Sequence, residues 1–209
     1  MSGNTILAMR LTHLDQEVFK GGLCKPDQLD IDKCPHYWVQ RKPFAEDPKC
    51  GYVHFIPYIL VKVGDKVLKY ERSNKGGEAR LHNAISIGIG GHVDLDADIA
   101  KKENGGASIT DMVRHTASKE LREEIGVVFS ESSFEIVGYI YDRTTEVNKV
   151  HLGVMMVVKC TDEAVGDLLT GGEIDQLVNR EILSTSELRA MYEDRLESWS
   201  RIAVENVLF

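Results

Sequence analysis

The stretch Lys119-Glu-Leu-Arg-Glu-Glu-Ile-Gly126 places three glutamates along one edge of a helix, because residues three and four positions apart share a helical face. These glutamates are Glu120, Glu123 and Glu124. Like charges with this spacing repel each other and destabilise the helix. A hard divalent cation such as Mg²⁺ would remove that repulsion, since it takes one or two carboxylates together with substrate phosphates. A solvated acidic helix face would carry the same pattern, so the octet alone leaves both interpretations open.

The flanking residues favour a metal site. Ser108 and Asp111 have the spacing of a capping box that begins a helix, and Gly126 suits the C-terminal cap. Glu120 and Glu124 flank a stripe of apolar residues that repeat every four positions and are expected to be buried. The members of this stripe are Val113, Ala117, Leu121 and Ile125. The carboxylates are therefore expected at the border of the core rather than far out in water.

A glycine turn precedes this helix. In the stretch Ile85-Ser-Ile-Gly-Ile-Gly-Gly-His-Val-Asp94, the alternating isoleucines predict a strand, and Gly90-Gly91 breaks it. A strand, a glycine turn and a helix that bears carboxylates are the parts of a phosphate-and-metal site.

These features resemble the signature of the Nudix hydrolase family, G-x5-E-x7-R-E-U-x-E-E-x-G-U, in which U is a bulky aliphatic residue. The matching positions are Glu120, Leu121, Glu123, Glu124, Gly126 and Val127. The resemblance covers about residues 52–182. Within the family, the chain is similar to a MutT-like subgroup of predicted phosphoesterases. It implies an α/β (α+β) protein with the Nudix fold, an α/β/α sandwich with a mixed β-sheet.

The sequence departs from this signature in three places. Lys119 stands where the family has Arg, and Asp111 stands where the first Glu belongs. Gly105 has the numerical spacing of the first glycine, whereas the strand context assigns the turn to Gly90-Gly91. On that reading the segment 94–106 contains an insertion, which we expect to be a surface loop or a lid. Lys cannot make the two parallel hydrogen bonds of Arg, so Lys119 affects the fine geometry of the site. None of the proposed metal ligands is lost.

The resemblance implies roles for individual residues. Glu120, Glu123 and Glu124 are the expected catalytic and metal-binding residues, and one of them or a neighbour is the expected general base. The expected metal is Mg²⁺ or Mn²⁺. Glu173, in the glycine-flanked acidic loop Gly171-Gly-Glu-Ile-Asp175, and Gly91 complete the predicted metal set, with Asp175 and Glu181 as weaker alternatives to Glu173.

Further residues are assigned to the substrate and to the motif. The candidates for substrate binding are Arg72, Lys75, Arg80 and His92. The residues expected to hold the motif together are Gly90, Asp111, Lys119 and Gly126.

The implied activity is Mg²⁺- or Mn²⁺-dependent cleavage of a diphosphate (phosphoanhydride) linkage in a nucleoside diphosphate derivative or nucleotide. One alternative is a non-catalytic nucleotide-sensing module, although such proteins generally lose signature carboxylates. The other alternative is an enzyme like isopentenyl diphosphate isomerase, which needs a reactive cysteine. Cys160 lies on a predicted strand, but no reactive-cysteine motif surrounds it.

Composition restricts the partners. The net charge of −8 argues against a nucleic-acid polymer or an anionic membrane, and no apolar run approaches the ~20 residues of a membrane span. The N-terminus lacks the features of a signal peptide, so we expect a cytoplasmic protein. The family resemblance implies that it acts on a small nucleotide-type diphosphate and that it can pair as a homodimer. No Cys-x-x-Cys pair is present, which argues against a zinc site. The cysteines are Cys24, Cys34, Cys50 and Cys160.

The 209 residues divide into an N-terminal extension (1–50), packed on the main domain, and a Nudix domain (51–209). A capping box at Ser184–Glu187 predicts a final helix that continues to about Val207. Gly64-Asp65 predicts a hairpin turn. The predicted strands are 54–63, 66–72, 85–89, 134–141 and 150–159, and the acidic helix covers 108–125.

Overall fold

The computed structural model describes residues 5–73, 84–172, 175–192 and 195–207. Its strands are β1 (Thr5–Arg10), β2 (Leu23–Cys24), β3 (His36–Gln40), β4 (Tyr52–Val63), β5 (Lys66–Arg72), β6 (Ile85–Ser86), β7 (Gly88–Ile89), β8 (Glu135–Ile140), β9 (His151–Cys160) and β10 (Leu177–Ser184). Its α-helices are α1 (Ala97–Asn104), α2 (Ile109–Ile125), α3 (Val165–Thr170), α4 (Thr185–Tyr192) and α5 (Ser198–Asn206). The α/β class with a mixed sheet, expected from the sequence, is confirmed.

The chain forms two compact units that interleave along the sequence. Unit 1 comprises Met1–Tyr58, Gly91–Ala117 and Ile136–Met155. Unit 2 comprises Ile59–Gly90, Ser118–Glu135 and Met156–Phe209. Strands β4 and β9 and helix α2 contribute residues to both units.

In unit 1 the strands follow the order β4-β9-β8-β2, and β1 pairs with both β3 and β4. The pairing of β1 with β4 is antiparallel and aligns Ala8 with His54. The N-terminal segment therefore supplies a strand that pairs with β4. The domain boundary expected at residue 50 stays a prediction.

In unit 2 the order is β10-β5-β4, with antiparallel pairing throughout. The predicted two-residue hairpin at Gly64-Asp65 is confirmed, because Val63 pairs directly with Lys66 and Gly64 has a positive φ of 59°. Strand β7 pairs with β4 and β6 pairs with β5. The predicted strand 85–89 is thus divided at Ile87, with all three isoleucines buried.

The acidic helix has the ends that the sequence predicts. The backbone N–H of Ser108 donates to Asp111 Oδ2 at 3.0 Å, and the backbone N–H of Asp111 donates to Ser108 Oγ at 3.2 Å, which completes the capping box. The hydrogen bonds that the backbone N–H and the Oγ–H of Ser108 donate to the carboxylate of Asp111 hold its pKa below the usual range. Gly126 ends the helix with a φ of 74°. The residues of the predicted stripe are fully buried: Val113, Ala117, Leu121 and Ile125.

The insertion at 94–106 is not the surface loop expected from the sequence, because it contains helix α1. Asp96 is the N-cap: its Oδ1 accepts hydrogen bonds from the backbone N–H groups of Asp98 and Ile99 at 3.1 and 2.9 Å. The side chain of Ile99 is buried, which gives the helix an apolar anchor. Asp96 therefore caps a helix in this segment, which is not an open loop.

The prediction of a single final helix that continues to about Val207 is also wrong. Helix α4 begins at the predicted capping box, where Ser184 Oγ and backbone N–H both contact Glu187 Oε2. A second helix, α5, begins only at Ser198. Between them the backbone pairs with Ile85, whose N–H donates to the Arg195 carbonyl and whose carbonyl accepts from the Glu197 N–H. These bonds hold residues 195–197 in a non-helical conformation.

Replacing Asp96 by Ala should lower the free energy of unfolding by about 0.5–2 kcal/mol, because the N-cap acceptor of α1 is lost. Chemical denaturation of the purified protein measures this change. Asp96→Asn is the matched control, since Asn caps helices about as well as Asp and should keep wild-type stability. Equal losses in both variants, or no loss in Asp96→Ala, would contradict the capping role.

Candidate functional site

The three glutamates lie on the C-terminal half of α2, next to the buried stripe. Glu120 and Glu124 are half-buried, whereas Glu123 is exposed. Arg122 Nη2 lies 4.0 Å from Glu123 Oε1 on the solvent side. Glu120 and Glu124 therefore lie at the border of the core, as expected from the sequence.

The backbone of Gly171 and Gly172 packs directly on the last turn of α2. A Cβ on Gly172 would lie 2.5 Å from the carbonyl carbon and oxygen of Glu124, and Gly172 has a φ of 66°. A Cβ on Gly171 would lie 2.6 Å from the carbonyl oxygen of Ile125. A Cβ on Gly126 would lie 2.9 Å from the backbone nitrogen of Gly172. Any side chain at these positions would push the loop away from the helix end that bears Glu124.

Arg180 joins the same loop to the same helix end. Its Nη2 donates to the carbonyl oxygen of Glu124 at 2.9 Å, and its Nη1 donates to the carbonyl oxygen of Gly171 at 2.6 Å. Further bonds reach the carbonyls of Leu168 and Leu177. The carbonyls of a helix's last turn have no partner within the helix, and a cation there is favourable. Arg180 therefore fixes the backbone from which the Glu124 side chain extends.

Sequence reasoning missed Arg180, and no local signal identifies it. It lies 56 residues from Glu124 along the chain, on a strand that was not predicted. These four acceptors are all backbone carbonyls, which any sequence could offer. Only the folded chain shows this contact.

Tyr70 is hydrogen-bonded to the strand before the glycine turn. Its hydroxyl donates to the carbonyl oxygen of Gly88 in β7 at 2.6 Å. Burial raises the pKa of Tyr70, Arg72 opposes this, and the negative charges of Glu197 and Glu124 raise it further. The carboxylate of Glu124 thus acts on a residue that is bound to β7, whose last residue, Ile89, directly precedes Gly90.

The predicted substrate residues have mixed outcomes. Arg72 Nε lies 3.3 Å from Glu197 Oε2, and its guanidinium lies over the ring of Tyr70. Glu197 is largely buried and also accepts from Ser86 Oγ at 2.5 Å. Arg72 thus has a partner in the fold, and its contact with substrate stays a prediction. Lys75, Arg80 and Glu173 lie outside the described residues.

The weaker alternatives to Glu173 are described. Glu181 Oε1 accepts from Lys69 Nζ at 3.1 Å, and Lys69 is buried. The backbone carbonyl of Asp175 accepts from Ser73 Oγ at 2.6 Å. Lys119 is half-buried on α2.

His92 follows Gly90 and Gly91 and contacts two other histidines. Its Nε2 lies 3.3 Å from His54 Nδ1 and 3.2 Å from His151 Nε2. Sequence reasoning assigned His92 to substrate and did not single out His54 or His151, because they lie 38 and 59 residues away. The roles predicted for His92 and Gly91 at the substrate and metal stay predictions.

The fold matches that of Tm1382, a protein assigned to the Nudix hydrolases, with a TM-score of 0.71 and 25% sequence identity over 98% of each chain. The chain belongs to the Nudix hydrolase family. It is also 30% identical to protein YmaB of Bacillus subtilis (strain 168) over 174 residues, which are 80% of this chain and 76% of YmaB. No protein-family model matches the chain. The expected Nudix fold is thereby confirmed. Among the helices in the described ranges, none has the length and apolar character needed to cross a membrane.

Replacing Gly172 by Ala should lower the free energy of unfolding by more than about 1 kcal/mol, because the new Cβ overlaps the Glu124 carbonyl and φ is positive. Thermal or urea unfolding measures this effect. Gly166→Ala is the control, since a Cβ there meets nothing within 4 Å and Gly166 lies in α3. It should leave stability unchanged or raise it by about 0.5–1 kcal/mol. Equal stability of the two variants would contradict the packing described.

Proposed function

We propose that this Nudix protein hydrolyses a phosphoanhydride linkage in a nucleoside diphosphate derivative or nucleotide and depends on Mg²⁺ or Mn²⁺. Membership of the Nudix hydrolases supports a hydrolase that acts on a small nucleotide-type substrate. The observation that carries the proposal is the position of Glu120 and Glu124, half-buried beside a fully buried helical stripe. A cytoplasmic location and a homodimer stay predictions.

The side chains on this helix edge fit the proposed metal. Carboxylate oxygens are the ligands that Mg²⁺ and Mn²⁺ prefer, and three of them occur within five residues of α2. Glu120 and Glu124 are half-buried and place two negative charges on neighbouring turns, which a bound cation would stabilise. Glu120 and Glu124 are therefore the proposed principal ligands, with Glu123 beside them.

The proposed site assigns separate catalytic and positioning roles to residues of the chain. A bound Mg²⁺ or Mn²⁺ supplies an acidified water and stabilises negative charge on phosphoryl oxygens. Glu120 and Glu124 hold their oxygens on one rigid helix, and one carboxylate of the group accepts the proton of the attacking water. Arg180, Gly171 and Gly172 keep the last turn of α2 in one position. This matters because small displacements of catalytic groups lower the reaction rate.

The structure does not favour the alternative functions. An isomerase needs a reactive thiol, and burial raises the pKa of Cys160 and thus reduces its thiolate fraction. The buried thiol of Cys24 has its pKa raised to about 11 for the same main reason. A sensing module without turnover would not need all three carboxylates, and this chain retains them.

Replacing Glu124 by Gln should lower kcat/KM by at least about a hundredfold, because Gln keeps the shape of the side chain and loses its charge and basicity. The measurement is release of phosphate or nucleoside monophosphate, with Mg²⁺ or Mn²⁺, from nucleotide sugars, dinucleotides, ADP-ribose and nucleoside triphosphates. Glu135→Gln, at an exposed position on β8, removes the same charge elsewhere and should keep wild-type activity.

Three results would count against this function. Equal activity of Glu124→Gln and wild type at saturating Mg²⁺ would contradict the assigned site. Nucleotide binding without product would indicate a sensing module. Formation of an allylic isomer from isopentenyl diphosphate would indicate an isomerase.

The proposed fourth carboxylate is tested separately. Glu173→Ala should raise the Mg²⁺ concentration needed for half-maximal rate, because one ligand of the cation is removed. Asp175→Ala, two residues away in the same acidic loop, is the matched variant and should have a smaller effect. An unchanged metal requirement in Glu173→Ala would remove Glu173 from the ligand set.

A further inference from the structure

Three histidines from distant parts of the sequence meet within unit 1. His54 lies in β4, His92 follows Gly91, and His151 is the first residue of β9. One ring nitrogen of each histidine lies within 4.8 Å of a ring nitrogen of the other two, and His92 Nε2 is the atom that faces both His54 Nδ1 and His151 Nε2.

Backbone carbonyls fix the orientation of two of these rings. His54 Nε2 lies 2.9 Å from the carbonyl oxygen of Ala45, and His151 Nδ1 lies 2.6 Å from that of Val147. A carbonyl can only accept, so these nitrogens carry the ring hydrogens. In the neutral rings His54 Nδ1 and His151 Nε2 therefore present lone pairs, and both face His92 Nε2.

A proton does not account for this arrangement. The single hydrogen that Nε2 of His92 can carry makes a linear bond with only one of the two facing lone pairs at a time. Burial, together with the nearby His151, lowers the pKa of His54 to about 3, and burial likewise holds the pKa of His92 well below its usual range. Neutral imidazoles are the form that binds metals.

Two of the three nitrogen–nitrogen distances fit a tetrahedral metal ion, and the third pair of ring nitrogens lies within 4.8 Å. Two nitrogens that each lie about 2.0–2.1 Å from Zn²⁺ at a tetrahedral angle are about 3.3–3.4 Å apart. The observed nitrogen–nitrogen distances from His92 are 3.3 and 3.2 Å. Histidines that bind metals commonly donate their other N–H to a carboxylate or backbone carbonyl, as His54 and His151 do here.

The charges around the cluster permit a cation. Arg41 is the positive residue whose charge acts on His54 and His92. Its Nε donates to Glu46 Oε1 at 2.8 Å, so an adjacent carboxylate balances it. His92 is less buried than His54.

We propose that His54, His92 and His151 form a binding site for a divalent transition-metal ion, with Zn²⁺ as the reference ion and the fourth position open. Three imidazoles select Zn²⁺ and its soft neighbours over Mg²⁺, which prefers oxygen ligands. The chain would then have two kinds of cation site, one built of carboxylates and one built of imidazoles.

The test uses the full chain, stripped of metal with a chelator and then titrated with Zn²⁺ or Co²⁺ in excess Mg²⁺, which occupies oxygen sites. Wild-type protein should take up one ion and, with Co²⁺, show the intense visible absorption of tetrahedral coordination. His92→Gln should bind Zn²⁺ at least about a hundredfold more weakly, because loss even of a residue that only orients a ligand costs 10–100-fold. His13→Gln, at an exposed histidine outside the cluster, should bind as wild type does.

Two further variants make the test decisive. His151→Gln should also lose the ion and serves if His92→Gln does not fold, as judged by circular dichroism. Glu124→Gln should keep full Zn²⁺ uptake, which separates this site from the proposed hydrolase site. The proposal is overturned if wild-type protein binds no Zn²⁺ in excess Mg²⁺, since the cluster is then only a packing arrangement. It is equally overturned if both histidine variants bind as tightly as wild type.

Discussion

Burial of a single stripe on α2 is the constraint on which the proposed hydrolase site depends. Val113, Ala117, Leu121 and Ile125 are fully buried, so the helix can face the core in one rotational setting only. That setting places Glu120 and Glu124 at the edge of the core, where water is restricted, and leaves Glu123 exposed. Rotation by one residue would bury a carboxylate without hydration, which costs far more than the helix could recover.

The end of α2 is held by backbone contacts rather than by side chains of the signature. Gly171 and Gly172 approach the last turn so closely that a Cβ would overlap it, and Arg180 binds the carbonyl oxygen of Glu124. The family's signature has Arg where this chain has Lys119. Arg180 is a planar, multivalent donor at the same end of the helix, and it makes the kind of fixed contacts that Lys cannot make.

Donor chemistry distinguishes the two clusters. The carboxylates on α2 are hard oxygen donors suited to Mg²⁺ or Mn²⁺ and to phosphate chemistry, whereas the imidazoles of unit 1 are suited to zinc-like ions. His92 also shows how position in sequence can mislead. Next to a glycine turn it suggests a phosphate ligand, yet its ring nitrogen faces His54 and His151.

The sequence by itself determined the features that arise from contacts within a few residues. These include the capping boxes at Ser108 and Ser184, the turn at Gly64-Asp65 and the buried stripe of α2. It failed at 94–106, where burial of Ile99 and capping by Asp96 outweighed the acidic composition. Tertiary structure alone decided strand β10, the non-helical segment 195–197, the bond from Arg180 to Glu124 and the meeting of three histidines. Each of these joins residues tens of positions apart, and neither periodicity nor local hydrogen bonding specifies which distant groups will meet.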